Sequence, residues 1–363
     1  MIKTPNNLHF LSFTQITVMT ILVSCSFLEL LSFSVGDVLC SKKILHTFLA
    51  YACFFIAAFS PLRIFFDKAH LLHMIICLAL FISLFTTPTI GTHRWLKIGP
   101  FSLQISEFVK ITMVLSLARY LASYATAEIK HFSNLIIPTA IVGIPSLLVL
   151  KQPDLGTALI LVMSGLIVCY IAGMNKKFFF ILLAAVTLSA PAVWHFVLHQ
   201  YQRDRILTFI APSAHLSSQS YQINQSRIAI GSGGAFGTGW RKGSQSQLLF
   251  LPEKHTDFIF SSWAEEFGFI GSILVIVLLL ILISYGVRVS LVSRSYFGSY
   301  TSSGLIFSFA LYTSVNIAMV CGFLPVVGVP LPFLSYGGSA LISNFILMGI
   351  IASASRHRNT INL

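Results

Sequence analysis

Residues 273–283 read ILVIVLLLILI, with no charge, no proline or glycine and no alternation. A helix that is apolar all round has no face to show to water, so it belongs in lipid or a large core. Crossing a bilayer takes about 20 mostly apolar residues. Ten segments of this chain meet that length: 11–34, 44–61, 71–90, 105–124, 134–150, 155–173, 178–198, 258–285, 302–323 and 336–355. A transmembrane barrel needs segments of about ten residues that alternate at every second position, and these runs do not alternate. The composition agrees: 56% of the residues are hydrophobic and 9% charged, against roughly 25% charged in a soluble domain. The expectation is an all-α integral membrane protein of about ten transmembrane helices, a single domain over 1–363. A long, partly structured extracytoplasmic loop, about 199–257, joins helices seven and eight.

An even number of spans puts both termini on one side. With the termini inside, the inner segments carry Lys3, Arg63, Lys68, Arg119, Lys130, Lys176, Lys177, Arg288, Arg294, Arg356 and Arg358. The short outer loops carry Lys42, Lys43, Arg94, Lys97 and Lys151. That asymmetry places the termini in the cytoplasm and the long loop outside. The tetrapeptide LVSC at 22–25 resembles a lipoprotein cleavage box, but a weakly charged N-terminus and nine further spans argue against cleavage there. The cysteines at 25, 40, 53, 77, 169 and 321 fall almost entirely within spans and read as small core residues. No Cys/His spacing suggests zinc.

The outer loop is too long to be a simple connection and carries recurring apolar residues, among them Ile206, Phe209, Ile228, Phe236 and Trp240. It is expected to fold back on the bundle or to lie in the membrane interface. Over 199–256, Arg203, Arg205, Arg227, Arg241, Lys242 and Lys254 face only Asp204 and Glu253. Attraction to lipid headgroups accounts for part of that excess. Guanidinium groups also suit phosphate oxygens, so the face suits a phosphate-bearing ligand. The glycine run GSGGAFGTG at 231–239 follows no strand and leads into no Gly-Lys-Ser/Thr, so it is not a nucleotide loop. Tight turns or close backbone approach explain its glycines.

Acids are scarce, yet four of the eleven lie in the stretch LPEKHTDFIFSSWAEEFG at 251–268. Thr256 or Asp257 stands where a helix N-cap is expected. An ionised Asp257 amid arginines would also serve as a general base. Glu265 and Glu266 lie about 12 Å deeper along the same helix and are expected to face the bundle interior or a wet cavity. Glu107 and Lys110, three apart on one helical face, suit an internal ion pair. Asp154 reads first as a helix N-cap. Prolines and glycines in LPVVGVPLPFLSYGG, 324–338, break the chain at membrane depth, which only surrounding protein or a wet cavity permits.

Together these stretches resemble the SEDS family (shape, elongation, division and sporulation). The matching segments are HRWLKIGPFSLQISEFVK, KQPDLGTALIL, YQRDRI, YQINQSRIAIGSGGAFGTGW, QSQLLFLPEKHTDFIFSSWAEEFGFIG and LPVVGVPLPFLSYGGSALI. Their wording is nearer the elongation branch than the division branch. The resemblance implies a peptidoglycan glycosyltransferase in the bacterial inner membrane that polymerises lipid II, a disaccharide-peptide on undecaprenyl pyrophosphate. It implies Asp257 as the catalytic residue. Cations must neutralise the departing pyrophosphate, and Arg94, Lys97, Lys110, Arg203, Arg205 and Arg227 are the candidates, with Glu107, Gln225, Gln245 and His255 as further candidate substrate contacts. The resemblance implies a class B penicillin-binding protein as partner within the elongation machinery, alongside membrane lipids, and no nucleic acid. A divalent cation, Mg2+ or Mn2+, is left open as an assistant, because no metal-ligand set is spelled out. Ile105 stands where the family often has proline, which favours a first helical turn. A lipid II flippase and a non-catalytic scaffold are the rival readings.

Overall fold

The computed structural model describes residues 7–33, 36–86, 95–98, 101–124, 135–197, 200–210, 218–248, 250–251 and 253–359. Ten of its helices fall on the expected spans: α1 (Asn7–Ser32), α2 (Gly36–Phe59), α3 (Leu62–Ser83), α4 (Ser106–Ala122), α5 (Ile136–Lys151), α6 (Leu155–Ile171), α7 (Lys176–Ala192), α11 (Ile259–Val292), α12 (Tyr296–Val320) and α13 (Gly338–Arg356). Among the described residues six of these, α1, α2, α3, α11, α12 and α13, are long and apolar enough to cross a membrane; α5 and α6 are apolar but shorter. The outer loop carries α8 (Gln200–Ile210), α9 (Ser218–Ser232) and the short α10 (Ser244–Gln247).

Several boundaries differ from expectation, most of all the starts of α2 and α3. The third span is expected at 71–90, but α3 begins at Leu62. Arg63 and Asp67 pair one turn apart at 3.7 Å on its exposed side, so charges that looked like a loop sit on a helix face. Lys43 was counted as an outer-loop charge, but it lies inside α2 and is buried, donating to Ser26 Oγ. The reading also missed a two-stranded hairpin, β1 (Trp95–Ile98) with β2 (Phe101–Gln104), paired antiparallel with Trp95 opposite Gln104.

The core runs through α4, whose charged residues made it look the least like a span. It is buried along most of its length, between α3, α5, α6, α12 and α13. Burial there demands that Glu107 and Lys110 satisfy one another, and Lys110 Nζ lies 2.6 Å from Glu107 Oε2. Asp154 caps α6 as its position suggested, accepting from Thr157 N at 3.2 Å.

The outer loop folds back, and the glycine run shows how. α11 is interrupted at Gly268, whose φ of +66° and ψ of −161° are outside the helical range. Such a break frees carbonyls and N–H groups that hydrocarbon cannot satisfy. The 231–239 segment replaces them. Thr238 N donates to Glu265 O at 2.9 Å and Gly239 N to Glu266 O at 3.1 Å. In return Phe269 N donates to Gly234 O at 2.9 Å and Ile270 N to Ala235 O at 3.2 Å. The two backbones touch, so Gly237 (φ +84°) has no room for a Cβ, which would run into Glu266 O. The close approach is to the protein's own chain rather than to a ligand.

The acids of α11 are also spent on this join. Glu265 is fully buried and accepts from Gln245 N at 2.8 Å and Ser246 N at 3.0 Å, closing the start of α10. Glu266 accepts from Ser32 Oγ and from Gln247 Nε2 at 3.4 Å. Trp240 Nε1 donates to Leu28 O at 3.1 Å and Arg241 to Leu31 O, which seats the loop on α1. Lys254 is buried beside these acids, donates to Ser246 O and stands 4.5 Å from the Phe33 ring centroid. Burial pulls its pKa down, while Glu29, Glu266 and Glu265 pull it back up.

Gly237→Ala is expected to destabilise the protein by about 3 kcal/mol, from left-handed backbone strain and the clash with a carbonyl. Gly231→Ala, with open space around it, is expected to stay within about 1 kcal/mol of the parent. Thermal unfolding in detergent distinguishes them; equal midpoints would dissociate the glycine run from the helix break. Lys254→Met is expected to cost about 3 kcal/mol, because it leaves buried acids without their cation. The same melting assay reads it, and an unchanged midpoint would show that the acids do not need Lys254.

Candidate active site

Asp257 sits on a tight turn at 253–258, immediately before α11. Thr256 N and Phe258 N both donate to Glu253 O, at 3.2 and 3.1 Å, and Thr256 Oγ1 donates to Glu253 Oε2 at 2.9 Å. The helix cap falls one residue later than the expected Thr256 or Asp257: Phe258 is the N-cap residue, and its side chain makes no capping bond. Thr256 is taken up by the turn instead.

The turn is fastened to the broken segment 321–337. Tyr336 N donates to His255 O at 2.8 Å, and Ser335 Oγ donates to Thr256 O at 2.6 Å. Asn316 Nδ2, from α12, donates to Asp257 O at 2.9 Å and to Val329 O at 2.6 Å. Gly328, with φ +74°, comes so close that a Cβ there would lie 3.4 Å from Asp257 Oδ2.

A cavity of about 480 Å³ opens in front of this carboxylate. Asp257, Thr256 and Glu253 line it from the turn, and Val326, Gly328, Pro330 and Tyr336 from the broken segment. Trp95 and Gln104 reach it from the hairpin, Glu107 from α4 and Thr157 from α6. Arg205 of α8 and Gln222 of α9 close it from the outer loop. The hairpin is held against α13 by Gln104 N donating to Ser339 Oγ at 3.0 Å. Three carboxylates, a guanidinium, two amides, several hydroxyls and three aromatic rings therefore share one cleft. That set can bind a phosphorylated saccharide and accept a proton from it.

Of the residues expected to form the site, Asp257, Glu107 and Arg205 share this lining. Arg94 lies outside the described residues, and Lys97 is placed on β1 with its side chain outside them too. Lys110 lies behind Glu107, fully buried, with Asn344 Oδ1 at 3.4 Å and the Tyr312 ring centroid at 4.1 Å. Its role in the fold is counter-ion to Glu107. Arg203 turns away and donates to His195 O at 2.9 Å. Gln225 and Arg227 follow Gln222 along α9 without lining the cavity, and Arg227 packs by Gly322. Gln245 is placed in the Glu265 nest by its backbone N–H. His255 is half-buried with its ring 6.2 Å from that of Tyr336, and burial lowers its pKa.

Residue reading alone missed Trp95, Gln104, Thr157, Gln222, Tyr336 and Asn316. All but Asn316 lie inside the motif stretches, where their neighbours drew attention by charge. Asn316 sits in an apolar helix and only its bond partners reveal it.

Comparison with known proteins agrees with the geometry. The profile of the FtsW/RodA/SpoVE family, described as cell cycle protein, matches residues 6–360. The peptidoglycan glycosyltransferase MrdB of Escherichia coli K12 is 37% identical over 352 residues, covering 96% of this chain and 94% of that one. A probable peptidoglycan glycosyltransferase FtsW of Coxiella burnetii is 38% identical over 267 residues, covering 72% of this chain and 70% of its own. Among solved structures, a chain from a peptidoglycan synthase complex that coordinates polymerization and crosslinking superposes with a TM-score of 0.83 at 27% identity, covering 96% of this chain and 98% of that one. The rod shape determining protein RodA of Thermus thermophilus shares the fold, with a TM-score of 0.72 at 24% identity over 95% of this chain and 97% of its own. The match along nearly the whole length shows that this multi-pass inner-membrane chain belongs to the FtsW/RodA/SpoVE family of cell cycle proteins, the SEDS family its motifs resemble.

Proposed function

We propose that this chain polymerises lipid II at the outer face of the inner membrane during cell elongation, with Asp257 as general base. The chain is a peptidoglycan glycosyltransferase, as its curated relatives are. The observation that carries the residue assignment is the cavity in which Asp257 and Arg205 share one lining. Both termini are cytoplasmic in this reading, which turns the cavity outward.

The acceptor's 4-hydroxyl on N-acetylglucosamine loses its proton to the Asp257 carboxylate. The oxygen attacks C1 of the donor's N-acetylmuramic acid. The C1–O bond to undecaprenyl pyrophosphate breaks, and a β-1,4 bond forms with inversion. One carboxylate suffices, because the pyrophosphate leaves as an anion and needs no protonating acid. Arg205 offers the guanidinium that neutralises it. Thr157, Gln104 and Gln222 supply hydroxyl and amide groups that pair with sugar hydroxyls. A divalent cation remains an addition to this scheme. Among the described residues no three His, Cys, Asp or Glu side chains converge as ligands; a cation, if bound, would supply charge neutralisation for the leaving pyrophosphate.

A class B penicillin-binding protein is the partner this reading requires. The structurally similar chain comes from a synthase complex that joins polymerization to crosslinking. The present chain would supply the first of those two activities.

The purified protein, with and without its transpeptidase partner, is incubated with lipid II, and glycan products are resolved on a gel. Wild type is expected to give polymer. Asp257→Ala is expected to lose at least about a hundredfold in rate, the contribution of a positioned base, with its melting temperature and partner binding unchanged. Arg205→Lys is expected to act more weakly, since it keeps the charge but loses the planar fork. Equal polymer from wild type and Asp257→Ala would remove Asp257 from the chemistry. No polymer from any folded complex would return the cavity to the flippase reading, to be followed in sealed vesicles.

A further inference from the structure

The side chain that ties the Asp257 turn to the rest of the site belongs to a residue without charge. Asn316 is fully buried in α12. Its amide nitrogen has two hydrogens and two acceptors: Asp257 O at 2.9 Å and Val329 O at 2.6 Å. The two carbonyls come from different segments. One belongs to the turn before α11, the other to the broken segment whose Val326, Gly328 and Pro330 wall the cavity. One amide thus clamps the acid-bearing backbone to the adjoining wall of the cleft. Its Oδ1 is buried with no hydrogen-bond donor among the described residues. An amide that leaves its own acceptor unmade at that depth is placed for its two donors, because an unsatisfied buried acceptor is costly.

We infer that Asn316 is a positioning residue for the transfer reaction, setting where the Asp257 carboxylate stands relative to the cavity wall at Gly328. This rests on the reading of Asp257 as the base. A carbonyl held at hydrogen-bond length fixes the Cα of its own residue and, through it, the carboxylate. Ser335 Oγ ties the turn one residue earlier, donating to Thr256 O and accepting from Leu331 N at 2.8 Å within the broken segment. Asn316 differs in holding the carbonyl of Asp257 itself, and in doing so from a third element, α12. Reactions of this kind lose about a hundredfold in rate for a displacement near 1 Å, so the clamp acts on turnover rather than on lipid II affinity.

Asn316→Asp is the decisive substitution, because it keeps the shape and replaces the donor nitrogen by an oxygen. Ionised, the new carboxylate faces two carbonyl oxygens and repels both. Protonated, it offers one O–H to one of them. The titratable groups around it are Glu253, Lys254, His255 and Asp257 on the turn, Tyr336 on the broken segment, Tyr312 one turn away on α12 and Glu107 in the cavity lining, and all are present in the wild type too. Glycan synthesis by the full chain with its partner is measured against pH at varied lipid II. Wild-type kcat is expected to fall at low pH if a carboxylate is the base. The ratio of Asn316→Asp kcat to wild-type kcat is expected to rise as pH falls, with KM little changed. Asn316→Ala is expected to lower kcat about a hundredfold, and to add little to Asp257→Ala, as coupled residues do. A ratio that is flat with pH, or a loss confined to KM, would overturn the inference. If Asn316→Ala cannot be purified folded, the isosteric Asn316→Asp profile decides alone. Full activity of Asp257→Ala would instead mark failure of the base assignment, which the Asn316 profile would not.

Discussion

In hydrocarbon a backbone carbonyl or N–H must find a partner inside the protein, and this chain breaks α11 at Gly268 in spite of that. The structure survives the break because the 231–239 segment supplies the missing donors and acceptors, bond for bond, across Glu265, Glu266, Phe269 and Ile270. The arrangement of the 199–257 loop follows from that join. It brings α9 against α11, sets α10 over Glu265 and seats Trp240 and Arg241 on the end of α1. A loop of some sixty residues becomes one wall of a cleft instead of a tether. The glycines are needed where two main chains meet at van der Waals distance.

The same join explains where the acids went. Glu265 and Glu266 looked like candidates for a wet cavity, but the first closes α10 and the second holds Ser32 and Gln247. Glu29 adds a third buried carboxyl near them, and Lys254 is the cation they share. Glu107 is paired with Lys110, and Asp154 caps α6. In a low-dielectric interior each of these charges would be costly alone, so the chain binds Glu265, Glu266, Glu107 and Asp154 each into a local arrangement, while neither oxygen of Glu29 has a hydrogen-bond partner among the described residues. The carboxylates that remain in contact with the large cavity are Asp257, Glu253 and the paired Glu107.

Much of this could be read from the residues. The spans were legible because lipid imposes length and apolarity on each helix independently, so no tertiary knowledge is needed. Asp257, Arg205 and Glu107 were legible as scarce charges in an apolar chain. The failures share a different cause. The basic residues of the outer loop were treated as one face, yet Arg203 and Arg205, two apart on a helix, point about 200° from each other. Only Arg205 meets the cavity. Gln245 lies beside Glu265 because of a backbone join that no spacing rule predicts. Asn316 carries no charge, and its importance is a matter of which two carbonyls it reaches.

The turn bearing Asp257 is held through its carbonyls, by Tyr336 N to His255 O, Ser335 Oγ to Thr256 O and Asn316 Nδ2 to Asp257 O. None of these bonds uses the Asp257 carboxylate. Three successive peptide groups are fixed, so the side chain stands on a rigid base while its own atoms border the cleft. A base takes up a proton in every cycle, and three backbone ties that do not run through its carboxylate keep their strength whether or not it is protonated. This is also why Asp257→Ala is a clean test: it removes the acid and leaves all three ties in place.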